Sequence, residues 1–104
     1  LLSSMKTTFS FSEKLWKYPG EKATWYFLTF DKAFSSKVRE LSGKQKGWGQ
    51  VKVEVTIGKT VWATSLFPGK GSVFVLPVKA AVRKAENLVA GSVVRGQFKL
   101  VGRI

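Results

Sequence analysis

The chain has 104 residues, of which 18 are Lys or Arg and six are Asp or Glu; its formal net charge is +12, and it contains neither cysteine nor histidine. A chain of this length fits a single domain that buries roughly 60–70% of its unfolded surface, so it needs neither a disulfide nor a structural metal to fold. The missing residue types exclude thiolate and imidazole chemistry, both as nucleophile or base and as metal ligand.

Hydrophobic residues make up 44% of the chain and aromatics 13%, which is too much core material for a disordered segment. An isoelectric point near 10.3 favours polyanionic partners such as nucleic acid, an anionic membrane surface or an acidic protein. The same excess of Lys also serves plain solubility.

Leu1 to Lys6 lacks a basic region followed by a long apolar stretch and does not read as a signal peptide. Met5 fits a natural start, so residues 1–5 read as an N-terminal extension and 6–104 as one domain. No stretch approaches the roughly 20 apolar residues of a membrane span. The expectation is a cytoplasmic protein without membrane insertion.

Residues 7–17 place Phe9, Phe11 and Leu15 at strand spacing, with Ser10, Ser12 and Lys14 between them, and predict a half-buried strand. Tyr18-Pro19-Gly20 is a turn signal. The aromatic run over 23–30 reads as a strand buried on both faces. Asp31 can cap a helix whose apolar stripe is Phe34, Val38 and Leu41 and which Gly43 ends.

A basic loop over 44–49 follows. Residues 50–57 then alternate, with Val51, Val53, Val55 and Ile57 on one face and Gln50, Lys52, Glu54 and Thr56 on the other. Gly58-Lys59 predicts a hairpin turn into a return strand over 60–66 that carries Trp62 and Leu66. Pro68 to Gly71 forms a loop before a strand over 72–76. Pro77 suits the first turn of a helix over 78–86, with a stripe of Val78, Ala81, Val82 and Ala85. Gly91-Ser92 opens a last strand, with Val94, Phe98 and Leu100 on one face and Arg95, Gln97 and Lys99 on the other. The pattern predicts a mainly β fold: a small, closed, six-stranded, Greek-key-like β-barrel with two short helices. Closure removes edges that invite aggregation.

A set of ordered motifs runs along this pattern: Ile57-Gly58, Thr64-Ser65-Leu66, Pro68-Gly69-Lys70-Gly71, Phe74, Leu76-Pro77, Arg83-Lys84 and Gly91-Ser92-Val93-Val94. Together with Leu15, Trp25 and the helix around Val38, they resemble a bacterial family of small barrels, domain of unknown function nineteen-oh-five. The resemblance implies a six-stranded barrel and no particular activity. Pro77, Arg83, Lys84 and Gly91 through Val94 also resemble half of a swapped-hairpin barrel of the AbrB type, which includes DNA binders. Ser92 stands where that pattern has Asp, and can accept a local turn hydrogen bond in its place.

Several residue groups are candidates for binding. Lys44, Lys46 and Trp48, with Lys52 beyond, interleave charge with an aromatic, as single-stranded nucleic acid requires. Lys70 in its Gly-rich loop could meet an anion, although a plain connection explains that loop as well. Arg83, Lys84, Arg95 and Lys99 could contact phosphates; Arg95 and Lys99 equally suit an outer barrel face. Trp16, Tyr18 and Trp62 are candidates for an aromatic pocket or self-association surface, while Trp25 reads as core. The acids are scattered, and no nucleophile–base set stands out. The sequence therefore predicts a non-enzymatic polyanion binder for DNA or RNA, without cofactor or metal. The alternative is a ligand- or protein-interaction module, with a homodimer left open.

Overall fold

A computed structural model describes residues 8–20, 25–42 and 49–101. Its elements are β1 (Thr8–Lys14), β2 (Trp16–Lys17), β3 (Tyr26–Thr29), α1 (Lys32–Ser42), β4 (Val51–Ile57), β5 (Thr60–Pro68), β6 (Phe74–Pro77), α2 (Ala80–Ala85) and β7 (Val93–Leu100). The strands form one antiparallel sheet in the order β1-β7-β4-β5-β6-β3-β2. β1 and β2 occupy opposite edges of that order, yet only Leu15 separates them along the chain. The sheet therefore curls into a nearly closed barrel.

The mainly β architecture with two helices matches the alternation in the sequence. Seven strands replace the expected six, because the first run breaks at Leu15. This residue is almost fully buried. Its N–H donates to the Ser92 carbonyl at 2.9 Å, and its own carbonyl accepts from Gly91 N at 2.8 Å. Before it the chain pairs with β7, and after it with β3. β5 makes the opposite corner: residues 60–66 pair with β4, while Phe67 and Pro68 pair with β6. Strands that change partner through a bend are how orthogonal half-sheets share their corners.

The inward-facing residues of each strand meet in one core. Phe98 is its hub, with ring centroids 5.2 Å from Phe9, 5.7 Å from Phe30, 6.0 Å from Phe34 and 6.1 Å from Phe11. Tilted and offset ring pairs of this kind add to simple area burial. Gly96 lies on the same inward line of β7, directly across from Phe11 in register. A Cβ there would stand 2.6 Å from the Thr56 carbonyl oxygen and 2.9 Å from both Ile57 Cγ1 and Phe11 Cζ. Only glycine lets the Phe11 ring and the β4 backbone come this close.

Asp31 caps α1: its Oδ1 accepts from Phe34 N at 2.8 Å, as expected of a residue that satisfies a free N–H in the first turn. Val38 is buried and Phe34 packs on Phe9 and Phe30. Leu41, expected in the same stripe, faces solvent. Ser35 takes the buried place instead. Its hydroxyl accepts from Phe74 N at 2.9 Å and so ties α1 to β6. The expected stop at Gly43 lies outside the described residues.

α2 is shorter than its sequence pattern suggests. Pro77 does not begin it but completes β6 opposite Phe27. The ladder runs one residue further, with Val78 N donating to the Tyr26 carbonyl at 2.9 Å, and this holds the chain extended until Lys79. Val78 and Val82 are buried, whereas Ala81 and Ala85 are exposed. Glu86 then latches the helix end to the β4–β5 hairpin, its Oε2 accepting from Thr60 Oγ1 at 2.5 Å and Lys59 N at 3.3 Å. Gly58 makes room for this carboxylate, and its φ of 60° is the left-handed geometry of the turn. After α2, Ser92 closes its own turn: its Oγ accepts from Val89 N at 3.3 Å and donates to the Val89 carbonyl at 2.6 Å.

Two predictions follow from this packing. Gly96→Ala is expected to destabilise the protein by about 1–3 kcal/mol, as overpacking does. Gly20→Ala, with open space around it, should change stability by less than about 0.5 kcal/mol. Urea unfolding of both variants checks the contrast.

Glu13 supplies the second. It points inward on β1, and burial, then the negative charge of Asp31, pushes its carboxyl above the ordinary value of 4.5. Its ionisation therefore opposes folding, and its contribution to stability falls as pH rises through the raised value. Glu13→Gln should raise the melting temperature at pH 7 and lose that advantage below about pH 4. A melting series across pH that shows a constant gap would contradict this assignment.

Candidate aromatic and basic surface

Alternation sorts the β2–β3 hairpin into two faces. Tyr26, Leu28 and Phe30 point inward. Trp25, Phe27 and Thr29 point outward, alongside Trp16 and Tyr18. The pairing is Trp16 with Phe27 and Lys17 with Tyr26, and Tyr18 N donates to the Trp25 carbonyl at 2.8 Å. Four aromatic side chains thus share one outer surface.

Their rings form a connected set around Phe27. Trp16 lies 5.3 Å from it, Trp25 6.1 Å with planes only 6° apart, and Tyr18 6.3 Å edge-on. Trp16 and Tyr18 are themselves 6.3 Å apart. Trp25 is 56% exposed, Tyr18 50% and Trp16 37%. This corrects the expectation that Trp25 is core: the strand is buried on one face only. The signal was present, because Thr29 shares the Trp25 face and a hydroxyl there argues for solvent.

The platform is anchored from both sides. Trp16 donates its Nε1–H to Thr29 Oγ1 at 2.7 Å, which fixes the indole across the hairpin. On the inner side, the Arg83 guanidinium lies 3.8 Å above the Tyr26 ring, and Arg83 Nε donates to the Val78 carbonyl at 3.1 Å. Arg83, a candidate phosphate ligand, is therefore committed to holding β3. Cation–π contact and a hydrogen bond together restrict it.

The outer apolar surface continues across the sheet. Phe27 pairs with Pro77, and Thr29 pairs with Val75, which pairs with Phe67. Phe67 is 40% exposed. Trp62 is not part of this surface. It faces inward opposite Val55 and packs, half-buried, against the core. The expected grouping of Trp16, Tyr18 and Trp62 is thus corrected to Trp16, Tyr18, Trp25 and Phe27.

The basic candidates fall into separate places. Lys52, Arg95 and Lys99 project from the outer face of β4 and β7. Lys99 Nζ lies 3.4 Å from Glu54 Oε1. Lys84 is exposed on α2. Lys70 is exposed in the loop between β5 and β6, where Gly69 N donates to the Val73 carbonyl and Arg39 Nη2 to the Ser72 carbonyl. Arg39 also stacks over Phe74. Lys44, Lys46 and Trp48 lie outside the described residues.

Two lysines that the sequence pattern did not single out adjoin the aromatics. Lys14 precedes Trp16 by two positions on the outward side, and Lys17 is exposed between Trp16 and Tyr18. No acid lies on β2 or β3. Among the described residues, no group of three or more Asp or Glu could hold a metal ion, and no helix is long and apolar enough to cross a membrane.

No curated protein matches the chain in sequence. Residues 11–97 match the family described as Domain of unknown function (DUF1905). The match begins at Phe11 on β1 and ends at Gln97 on β7, so it takes in the Leu15 corner, the hairpin that bears the aromatics and both helices. The chain is a member of the DUF1905 family.

Proposed function

We propose that this barrel is a non-enzymatic binding domain for single-stranded nucleic acid, whose bases stack on Trp16, Tyr18, Trp25 and Phe27. The observation that carries the reading is a sheet face on which the exposed Trp16, Tyr18 and Trp25 gather around a half-buried Phe27, in a chain of net charge +12. Every base has a π-face, so an aromatic platform binds single strands with little sequence preference. Bases in a duplex are stacked on each other and unavailable to it. The surrounding positive charge supplies attraction to phosphate that depends steeply on salt. This role suits a cytoplasmic protein.

A second reading has its own support. The aromatic surface continues through Pro77 and Val75 to Phe67, and contiguous exposed apolar area marks protein contacts. On that reading the face would seat a protein partner or a second copy of the chain.

The deciding measurement is binding of fluorescently labelled single- and double-stranded DNA and RNA, with tryptophan emission recorded in parallel. Single strands are expected to bind, to quench tryptophan and to be favoured over duplexes. Trp25→Ala should weaken single-strand binding by roughly 5- to 150-fold, the effect of losing one stacked base. Binding without quenching, or a Trp25→Ala variant equal to wild type, overturns the stacking mechanism. Sedimentation showing a dimer that Trp25→Ala dissociates would favour the second reading.

A further inference from the structure

The outward side chains of β1 and β2 make one line along the chain: Thr8, Ser10, Ser12, Lys14, Trp16 and Tyr18. The inward line is Phe9, Phe11, Glu13 and Leu15, and its burial shows that the alternation holds up to the corner. Side chains on one face of a strand recur about every 6.5–7 Å. The aromatic platform is therefore the end of a longer outer track rather than an isolated patch.

Register places the other half of the track on β7. Ser12 pairs with Arg95, and Lys14 with Val93, so Arg95 and Lys14 are diagonal neighbours on the outer surface. Ser10 pairs with Gln97. Neither Lys14 nor Arg95 forms an ion pair or side-chain hydrogen bond among the described residues. Lys99 differs, since Glu54 already partners it. Lys14 and the hydroxyls of Ser10 and Ser12 thus run on from the aromatics along one strand, and Arg95 stands beside them on β7.

Resting on the nucleic-acid reading above, we propose that a single strand stacked on the platform continues over the Leu15 corner and lays its phosphates on Lys14 and Arg95. The bases occupy the β2–β3 side and the backbone follows β1 and β7. Ser12 stands beside Arg95 in register and offers a hydroxyl to the same phosphate path. The track predicts a footprint longer than the platform alone, and a polarity of chemistry along it: stacking at one end, charge at the other.

The test is a salt series of single-strand binding with two charge-matched double variants. Lys14→Gln with Arg95→Gln removes the track. Lys37→Gln with Lys59→Gln removes the same charge from α1 and the β4–β5 hairpin, at two exposed lysines outside the track. Each phosphate contact on a single strand contributes about 0.7 to the slope of log affinity against log salt. The track variant is expected to lower that slope by about 1.4 and the control variant by much less. Shortening the oligonucleotide to the platform length should remove the difference between wild type and the track variant. Circular dichroism confirms that each variant is folded.

If both double variants lower the slope equally, charge acts as a general field and the track is wrong. If the track variant binds like wild type while Trp25→Ala is weakened, the track again fails but the stacking platform stands. If wild type binds no single strand even at low salt, both the track and the function it rests on are overturned.

Discussion

The whole architecture turns on what happens at Leu15. A β-strand can pair on both edges, but it cannot belong to both ends of an open sheet without bending. Here one buried residue makes the bend, and the turn at Gly91 and Ser92 satisfies its backbone N–H and carbonyl. Burying those groups without partners would cost about as much as losing the hydrogen bonds they make. With partners supplied, the strand leaves β7, joins β3, and covers both ends of the sheet order at once. Closure then aligns the inward lines of all the strands on one aromatic core. It also places the outward line of β1 and β2 across two half-sheets, which makes the outer track continuous.

The same alternation that builds the core divides the outer surface chemically. On the β1-β7-β4 side the outward residues are mainly hydroxyls, Gln97 and cations, with Val93 and the Lys99-paired Glu54 among them. On the β5-β6-β3-β2 side they are largely apolar and aromatic, from Phe67 through Val75 and Pro77 to Phe27 and Trp16. Nothing in barrel stability requires the second arrangement. Exposed Trp and Tyr at 50% or more gain only part of the transfer energy that burial would give. Their grouping on one hairpin, with no acid on either strand, therefore points to a contact made with something outside the chain. Single apolar residues scattered on a surface are ordinary, but a contiguous set is not.

Much of the fold was legible from the chain alone, because periodicity reports which residues point inward. Val51, Val53, Val55 and Ile57 are buried as their spacing requires, and Val94 and Phe98 likewise. Asp31 caps α1 and Gly58 turns the hairpin. What periodicity cannot report is partner choice between distant strands. The break at Leu15 depends on residues 91 and 92, and Pro77 ends a strand because the Tyr26 carbonyl claims the next N–H. The site was less legible for the same reason. Trp16 and Tyr18 were visible as one outward pair, but their union with Trp25 and Phe27 is set by register between β2 and β3. Arg83 looked like a free cation on a helix, and only the tertiary fold puts it over Tyr26.

That placement of Arg83 bears on how such a surface can bind at all. Ordering flexible side chains at an interface costs about 0.5–1.5 kcal/mol each, and a platform fixed before contact avoids much of it. The hairpin is held by three different means. Thr29 fixes Trp16 across the strands, Arg83 clamps Tyr26 beneath, and the buried Leu28 and Phe30 hold the inner face of the chain that carries Trp25 and Phe27. Aromatic rings have few rotatable bonds, so once the backbone is fixed little freedom remains to be lost. Lys14 and Arg95 are the opposite case: exposed, without an ion pair among the described residues, and on long side chains that can follow a mobile phosphate. A rigid aromatic face beside adaptable cations is the division of labour that a partner with flat bases and a flexible charged backbone would need.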